Sequence, residues 1–249
     1  MRQSLPSNPS EATLSFRRRK RRWLPASLIF RGSSVARALF GSERALRFEL
    51  QAAKALWRVA YENAGAAYGV AFREKTMALT TEVLERWVPV GASVLDIGCG
   101  RGHLVSLIAA RVESALGVDL DARAIGIARR ENRAPHVRFE LADATRLPAA
   151  HFDVAVMSHL LEHIDDPDAL LQRVQNIAPR VVVEVPQFGH DPLDWVRLDM
   201  GVDFSSDADH VREYTREVLV DQLTRNGWRP IDWTSGRLSI AALAERSSQ

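Results

Sequence analysis

The stretch Val94-Leu95-Asp96-Ile97-Gly98-Cys99-Gly100-Arg101-Gly102-His103-Leu104 constrains the fold of this chain more than any other. An apolar run leads into three glycines at alternate positions and then into a helical pattern. Glycine suits a tight turn whose backbone must approach a ligand closely. A strand, a Gly-rich turn and a helix in succession form the opening unit of a parallel, doubly wound sheet. Such sheets bind ligands at the C-terminal ends of their strands.

The rest of the chain repeats that alternation. Strands are expected at 93–97, 115–119, 137–141, 152–157 and 180–185, and two more near 229–234 and 238–243. Helices are expected at about 102–111, 122–133, 167–177 and 215–226, the last stopped by Gly227. Upstream, apolar residues at helical spacing (Leu39, Leu46, Leu50, Leu56, Trp57) predict one helix over 35–64, and a second covers 73–87.

Charge is distributed unevenly. The net charge is +2, yet the first 50 residues hold 11 Lys or Arg against 3 acids, and the remaining residues 22 against 28. The basic character belongs to the N-terminus, which disfavours nucleic acid as a partner of the body. Residues 1–30 are expected to be a disordered basic tail. Its run Arg17 to Arg22, with the apolar residues up to Phe30, is a candidate for peripheral membrane contact through residues 17–30. The apolar stretch is too short for a secretory signal. No run of 18 apolar residues occurs, and the one cysteine, Cys99, leaves no internal disulfide. A cytoplasmic protein is expected. Residues 31–90 then form an N-terminal helical cap, and 91–249 an α/β domain with an insertion at 186–212.

Two acids sharpen the ligand. Asp96 stands on the strand just before the glycines, and their spacing is G-x-G-x-G, not the G-x-G-x-x-G of dinucleotide loops. A carboxylate there would repel a pyrophosphate but suits ammonium and sulfonium charges. Asp119, at the end of the next strand, can accept both hydroxyls of a ribose.

Together these residues resemble the class I S-adenosylmethionine-dependent methyltransferases, from about Thr80 to Leu243. The resemblance implies a mostly parallel seven-stranded sheet of order 3-2-1-4-5-7-6, with strand 7 antiparallel. It implies S-adenosylmethionine as cofactor, with Asp96, Gly98 and Gly100 around its methionine part and Cys99 and Gly102 in the same loop. Asp119 would take the ribose and Leu120 pack near the adenine. Asp143 and Ala144 match the segment whose acid meets the adenine amino group, and Ser158 closes the fourth strand.

The acceptor is expected to be a small molecule or a lipid- or glycan-linked molecule bound under the 186–212 insertion, and O-methylation is favoured. An RNA methyltransferase tethered by the basic tail and a non-catalytic binding module are the alternatives. A hydroxyl acceptor needs its proton removed, a task for which histidine is suited. His210, His190 and His163 are the candidates, with Tyr214 and Asp191 as orienting partners. His159-x-x-Glu162-His163 also spells a zinc-peptidase signature, but it follows a strand where the motif needs a helix. No metal ligand is therefore expected.

Overall fold

The computed structural model describes residues 26–69, 72, 76–147, 151–189, 192–201, 210–236 and 238–247. The chain divides into two compact units. In the first, helices α1 (Ala26–Phe40) and α2 (Ser42–Tyr68) pack against each other. The single helix expected over 35–64 is thus two helices. Gly41 separates them with φ 82°, a left-handed backbone that a helix interior does not accept. Residues 26–30, expected to be disordered, belong to α1. The basic run 17–22 lies outside the described residues.

The second unit holds the sheet. Its elements are α3 (Ala78–Trp87), β1 (Ser93–Ile97), α4 (His103–Ile108), β2 (Ser114–Asp119), α5 (Ala122–Glu131) and β3 (Val137–Leu141). Then come β4 (Val154–Ser158), α6 (Pro167–Val174), β5 (Arg180–Pro186), α8 (Arg216–Arg225), β6 (Trp228–Ser235) and β7 (Ser239–Arg246). The division between units falls within α7 (Pro192–Asp199). The strand order is β3-β2-β1-β4-β5-β7-β6, and β7 runs antiparallel to both β5 and β6. This is the order that the resemblance implies.

Strand alternation builds two cores. Val94, Val154, Val156 and Val182 face one way, where they meet Val83, Leu84 and Trp87 of α3 and Val105 and Ile108 of α4. Leu95, Ile97, Ala155, Met157 and Val183 face the other, against Leu170, Leu171 and Val174 of α6 and Leu219 and Leu223 of α8. Side chains on both faces are buried, so these strands read as near-continuous apolar runs. The helices start where their caps dictate. The Asp121 side chain accepts the Arg123 and Ala124 N–H groups, Asp166 that of Ala169, and Thr215 that of Val218.

The strand order reverses beside β1, whose neighbours are β2 and β4. The connections from β1 and β4 diverge there, and at such a point doubly wound sheets bind ligands beyond the C-terminal ends of their strands.

Candidate active site

The loop after β1 is held from below by the second strand. Val118 O accepts the N–H groups of Gly98 and Cys99, at 2.9 and 3.0 Å. Asp119 Oδ2 accepts the N–H of Gly100 at 2.8 Å, and its Oδ1 accepts that of Asp121, also at 2.8 Å. Asp119 therefore fixes the loop and opens α5 at once, while each oxygen keeps a further lone pair for a hydroxyl donor.

Two glycines in this loop are required for different reasons. Gly102 has φ 77°, and a Cβ there would lie 2.7 Å from the ring of Phe139, so close packing on β3 excludes a side chain. Gly100 has φ 51°, and a Cβ there would meet nothing within 4 Å. The space beside Gly100 is open, as a cradle for a ligand must be. Cys99 is buried, and its sulfur packs where a side chain at Gly117 would stand. Burial first, then the charges of Asp96 and Asp119, push its thiol far above the ordinary range. A thiol so suppressed is packing, not a nucleophile.

Asp96 is the electrostatic centre. It is 2% exposed, and burial, with Asp119 adding repulsion, raises its pKa to about 7. Its Oδ2 has no hydrogen-bond partner among the described residues. A buried carboxylate without a partner is costly, and an incoming cation relieves that cost. This orphaned oxygen beside an open Gly-rich loop fits a ligand with ammonium and sulfonium charges.

The other expected cofactor residues lie along the same strand ends. Leu120 exposes 72% of its surface beside Asp119, an apolar side chain free to cover a flat ring. Asp143 caps the 3-10 turn Ala144–Arg146 by accepting the N–H and hydroxyl of Thr145, which holds its carboxyl below the usual range. Its second oxygen lies 3.3 Å from Arg146. Ser158 donates to Glu184 Oε2 at 2.9 Å.

That glutamate belongs to a polar group absent from the expected site. Glu184, buried on β5, also accepts the hydroxyl of Thr80 at 2.8 Å across 104 residues of sequence. His159 approaches it at 3.7 Å and Glu162 at 3.4 Å. His159 has φ 52°, in the left-handed region, which histidine enters more readily than most residues with a Cβ. Burial works against its charge, but the two carboxylates outweigh that and raise its pKa to about 9.

The expected acid–base residues part company. His190 and Asp191 lie outside the described residues, as does much of the acidic insertion. His163 and His210 come together, their rings edge to face at 4.6 Å. The loop bearing His210 is pinned to the turn Leu161–His163, since Glu162 O accepts the N–H of Val211 at 2.9 Å. Arg212 donates to the carbonyls of Ile164 and Asp165. Tyr214, in contrast, is core. It is 1% exposed, its hydroxyl donates to Gln222 at 2.6 Å, and burial pushes its pKa up to about 12. Its expected role of orienting a base at the site gives way to one in packing.

Fold and site together define a class I S-adenosylmethionine-dependent methyltransferase. The chain belongs to the methyltransferase-domain family, whose model matches residues 70–232. A ubiquinone biosynthesis O-methyltransferase of Thiobacillus denitrificans is 35% identical over 96 residues, which is 34% of this chain and 41% of that protein. The chain spans about half the length, or less, of the curated relatives it matches first. Among solved structures, it is similar to the 1,6-didemethyltoxoflavin-N1-methyltransferase of Burkholderia thailandensis, with bound S-adenosylhomocysteine. There the TM-score is 0.56 at 21% identity, over 78% of this chain and 88% of that one. The magnesium protoporphyrin IX methyltransferase of Synechocystis superposes with a TM-score of 0.55 at 19% identity, over 70% and 84% of the two chains.

Proposed function

We propose that this chain transfers the methyl group of S-adenosylmethionine to a hydroxyl oxygen of a small-molecule acceptor. The observation that carries the reading is the buried, partnerless Oδ2 of Asp96 beside the open space at Gly100. When bound, the cofactor supplies an electrophilic methyl carbon on a sulfonium centre. Asp96 holds its positive end, Asp119 accepts the ribose hydroxyls and Leu120 covers the adenine. Asp143, Ala144 and Ser158 line the remaining strand ends, with Cys99 and Gly102 shaping the loop.

Displacement at a methyl carbon demands alignment more than bond polarisation, so positioning supplies much of the rate. The acceptor oxygen must lose its proton, a task for the adjacent imidazoles of His163 and His210. The name of the Thiobacillus denitrificans relative supports an oxygen acceptor of quinone-like or lipid-linked type. Exposed Leu39, Phe40, Phe48, Leu56 and Trp57 on α1 and α2, among Arg37, Arg44 and Arg47, support peripheral contact with the membrane that holds such a lipid. No helix of the described residues is long and apolar enough to cross a membrane.

Calorimetry with S-adenosylmethionine, S-adenosylhomocysteine and NAD, followed by transfer of a radiolabelled methyl group to hydroxylated aromatics and to amines, tests the reading. Binding of both adenosyl ligands and label on phenols support it. NAD binding alone moves the chain to the oxidoreductases, and label only on amines overturns the oxygen acceptor.

A further inference from the structure

Glu162 is a buried carboxyl with two imidazoles close by, His159 at 3.4 Å and His163 at 4.0 Å. It is 1% exposed, and neither carboxylate oxygen takes a hydrogen bond from a described residue. His159 Nδ1 comes within 3.4 Å of Oε1, but outside hydrogen-bonding geometry, and the same ring is shared with Glu184. Glu162, His163 and His210 each offer one ligating atom, and the three atoms lie within 4.8 Å of one another. We infer that these residues bind a divalent transition-metal ion.

The placement favours this. Glu162 and His163 sit on the one-turn helix after β4, and His210 on the loop before α8. The backbone bond from Val211 N–H to Glu162 O and the Arg212 side chain's bond to Ile164 O join those two segments without the help of an ion. A site whose backbone is set beforehand needs only side-chain adjustment to close. Ligands at zinc-like bond lengths of ~2.1 Å stand roughly 3.4 Å apart, so each side chain moves by about an ångström.

The donor set selects the ion. Two imidazoles and one carboxylate suit zinc, cobalt or manganese, whereas magnesium and calcium prefer all-oxygen shells. The zinc-peptidase geometry itself does not form, because residues 159–163 make no α-helix and the His159 ring lies between Glu162 and Glu184. The third ligand comes instead from 47 residues beyond His163. Three protein ligands leave positions open. On the methyl-transfer reading above, a metal held by Glu162, His163 and His210 would lower the pKa of a coordinated acceptor hydroxyl, whose proton would go to solvent. The base assignment above then applies to the metal-free chain, and with an ion bound the two imidazoles would act as ligands.

The test uses the untagged full chain, stripped with chelator and titrated with Co²⁺ while visible absorption is followed. Calorimetry with S-adenosylmethionine is run on the same samples. One Co²⁺ per chain with ligand-field bands, displaced by Zn²⁺, is expected. Glu162→Gln and His210→Ala should each weaken Co²⁺ binding at least tenfold while retaining S-adenosylmethionine, and exposed His151→Ala should change neither. Absent Co²⁺ bands in protein that still binds S-adenosylmethionine overturn the site, as does binding unaffected by both variants or specific to Mg²⁺. Stoichiometric Co²⁺ without methyl transfer to any phenol upholds the metal site and sinks the acceptor reading alone.

Discussion

Asp119 Oδ2 and the backbone N–H of Gly100 are joined at 2.8 Å, so the end of the second strand holds the loop that follows the first. The same carboxylate carries the first turn of α5 through Asp121. One side chain therefore shapes the candidate cofactor site before any ligand arrives.

Replacing Asp119 with Ala removes two charge-assisted bonds to backbone N–H groups and the proposed ribose contact. Bonds to charged groups contribute about 1.5–3 kcal/mol each. A loss of ten- to a hundredfold in S-adenosylmethionine affinity is expected by calorimetry. Asp119→Asn should lie between the two, since it keeps one acceptor oxygen. Unchanged affinity in Asp119→Ala would remove the residue from the site.

Asp96 predicts a pH dependence whose sign is set by its raised pKa. The free carboxyl titrates near 3.8 and the folded one at about 7. Between those values the unfolded chain ionises while the folded chain stays protonated, so stability is full below pH 4, declines as pH rises and levels off above 7. The span corresponds to at most about 4 kcal/mol. Asp96→Asn should therefore raise the melting temperature of the ligand-free protein at pH 8 and leave it nearly unchanged at pH 4. The same variant should lose affinity for the cationic cofactor. Wild-type affinity should strengthen from pH 6 to pH 8 as Asp96 ionises.

Gly100 and Gly102 should respond differently to Ala. At Gly102 the new methyl meets the Phe139 ring at 2.7 Å and adds left-handed strain. A destabilisation of about 2–4 kcal/mol is expected in urea melts. At Gly100 the methyl meets no atom of the described residues within 4 Å, so the conformational cost of about 1–2 kcal/mol is what remains among them. Gly100→Ala should fold and yet fail to bind S-adenosylmethionine. If it binds normally, the cofactor does not occupy that space.

Tyr214→Phe separates packing from chemistry. It strands the Gln222 carbonyl oxygen in a buried setting, for about 1–3 kcal/mol of stability. Once the protein is folded, kcat for an accepted substrate should stay within a few-fold of wild type. A kcat drop of a hundredfold at unchanged stability would return Tyr214 to the site.

Much of this architecture is local and therefore legible in the sequence. The β1–loop–α4 unit is contiguous, its period changes from two to 3.6 within a few residues, and the caps at Asp121, Asp166 and Thr215 mark their own helices. Asp96 and Asp119 follow from their place at two strand ends. Even Gly41, which divides the N-terminal helix, was visible as a residue, although apolar spacing on both sides of it hid the break.

Other features depend on which strands became neighbours. Thr80, Ser158 and Glu184 meet because β4 lies beside β5 and α3 packs across the sheet, a juxtaposition that no local pattern records. Glu162 and His163 adjoin His210 because the loop before α8 returns to the turn after β4. Tyr214 looked like a site residue by its position in Asp-His-Val-Arg-Glu-Tyr-Thr, and burial against Gln222 made it core. The amino-acid order by itself determined the fold class, the Gly-rich loop and the two acids beside it, since period and turn chemistry act between near neighbours. Only the tertiary structure decided which distant polar groups share a buried space, because desolvation and pairing depend on what the folded chain places around them.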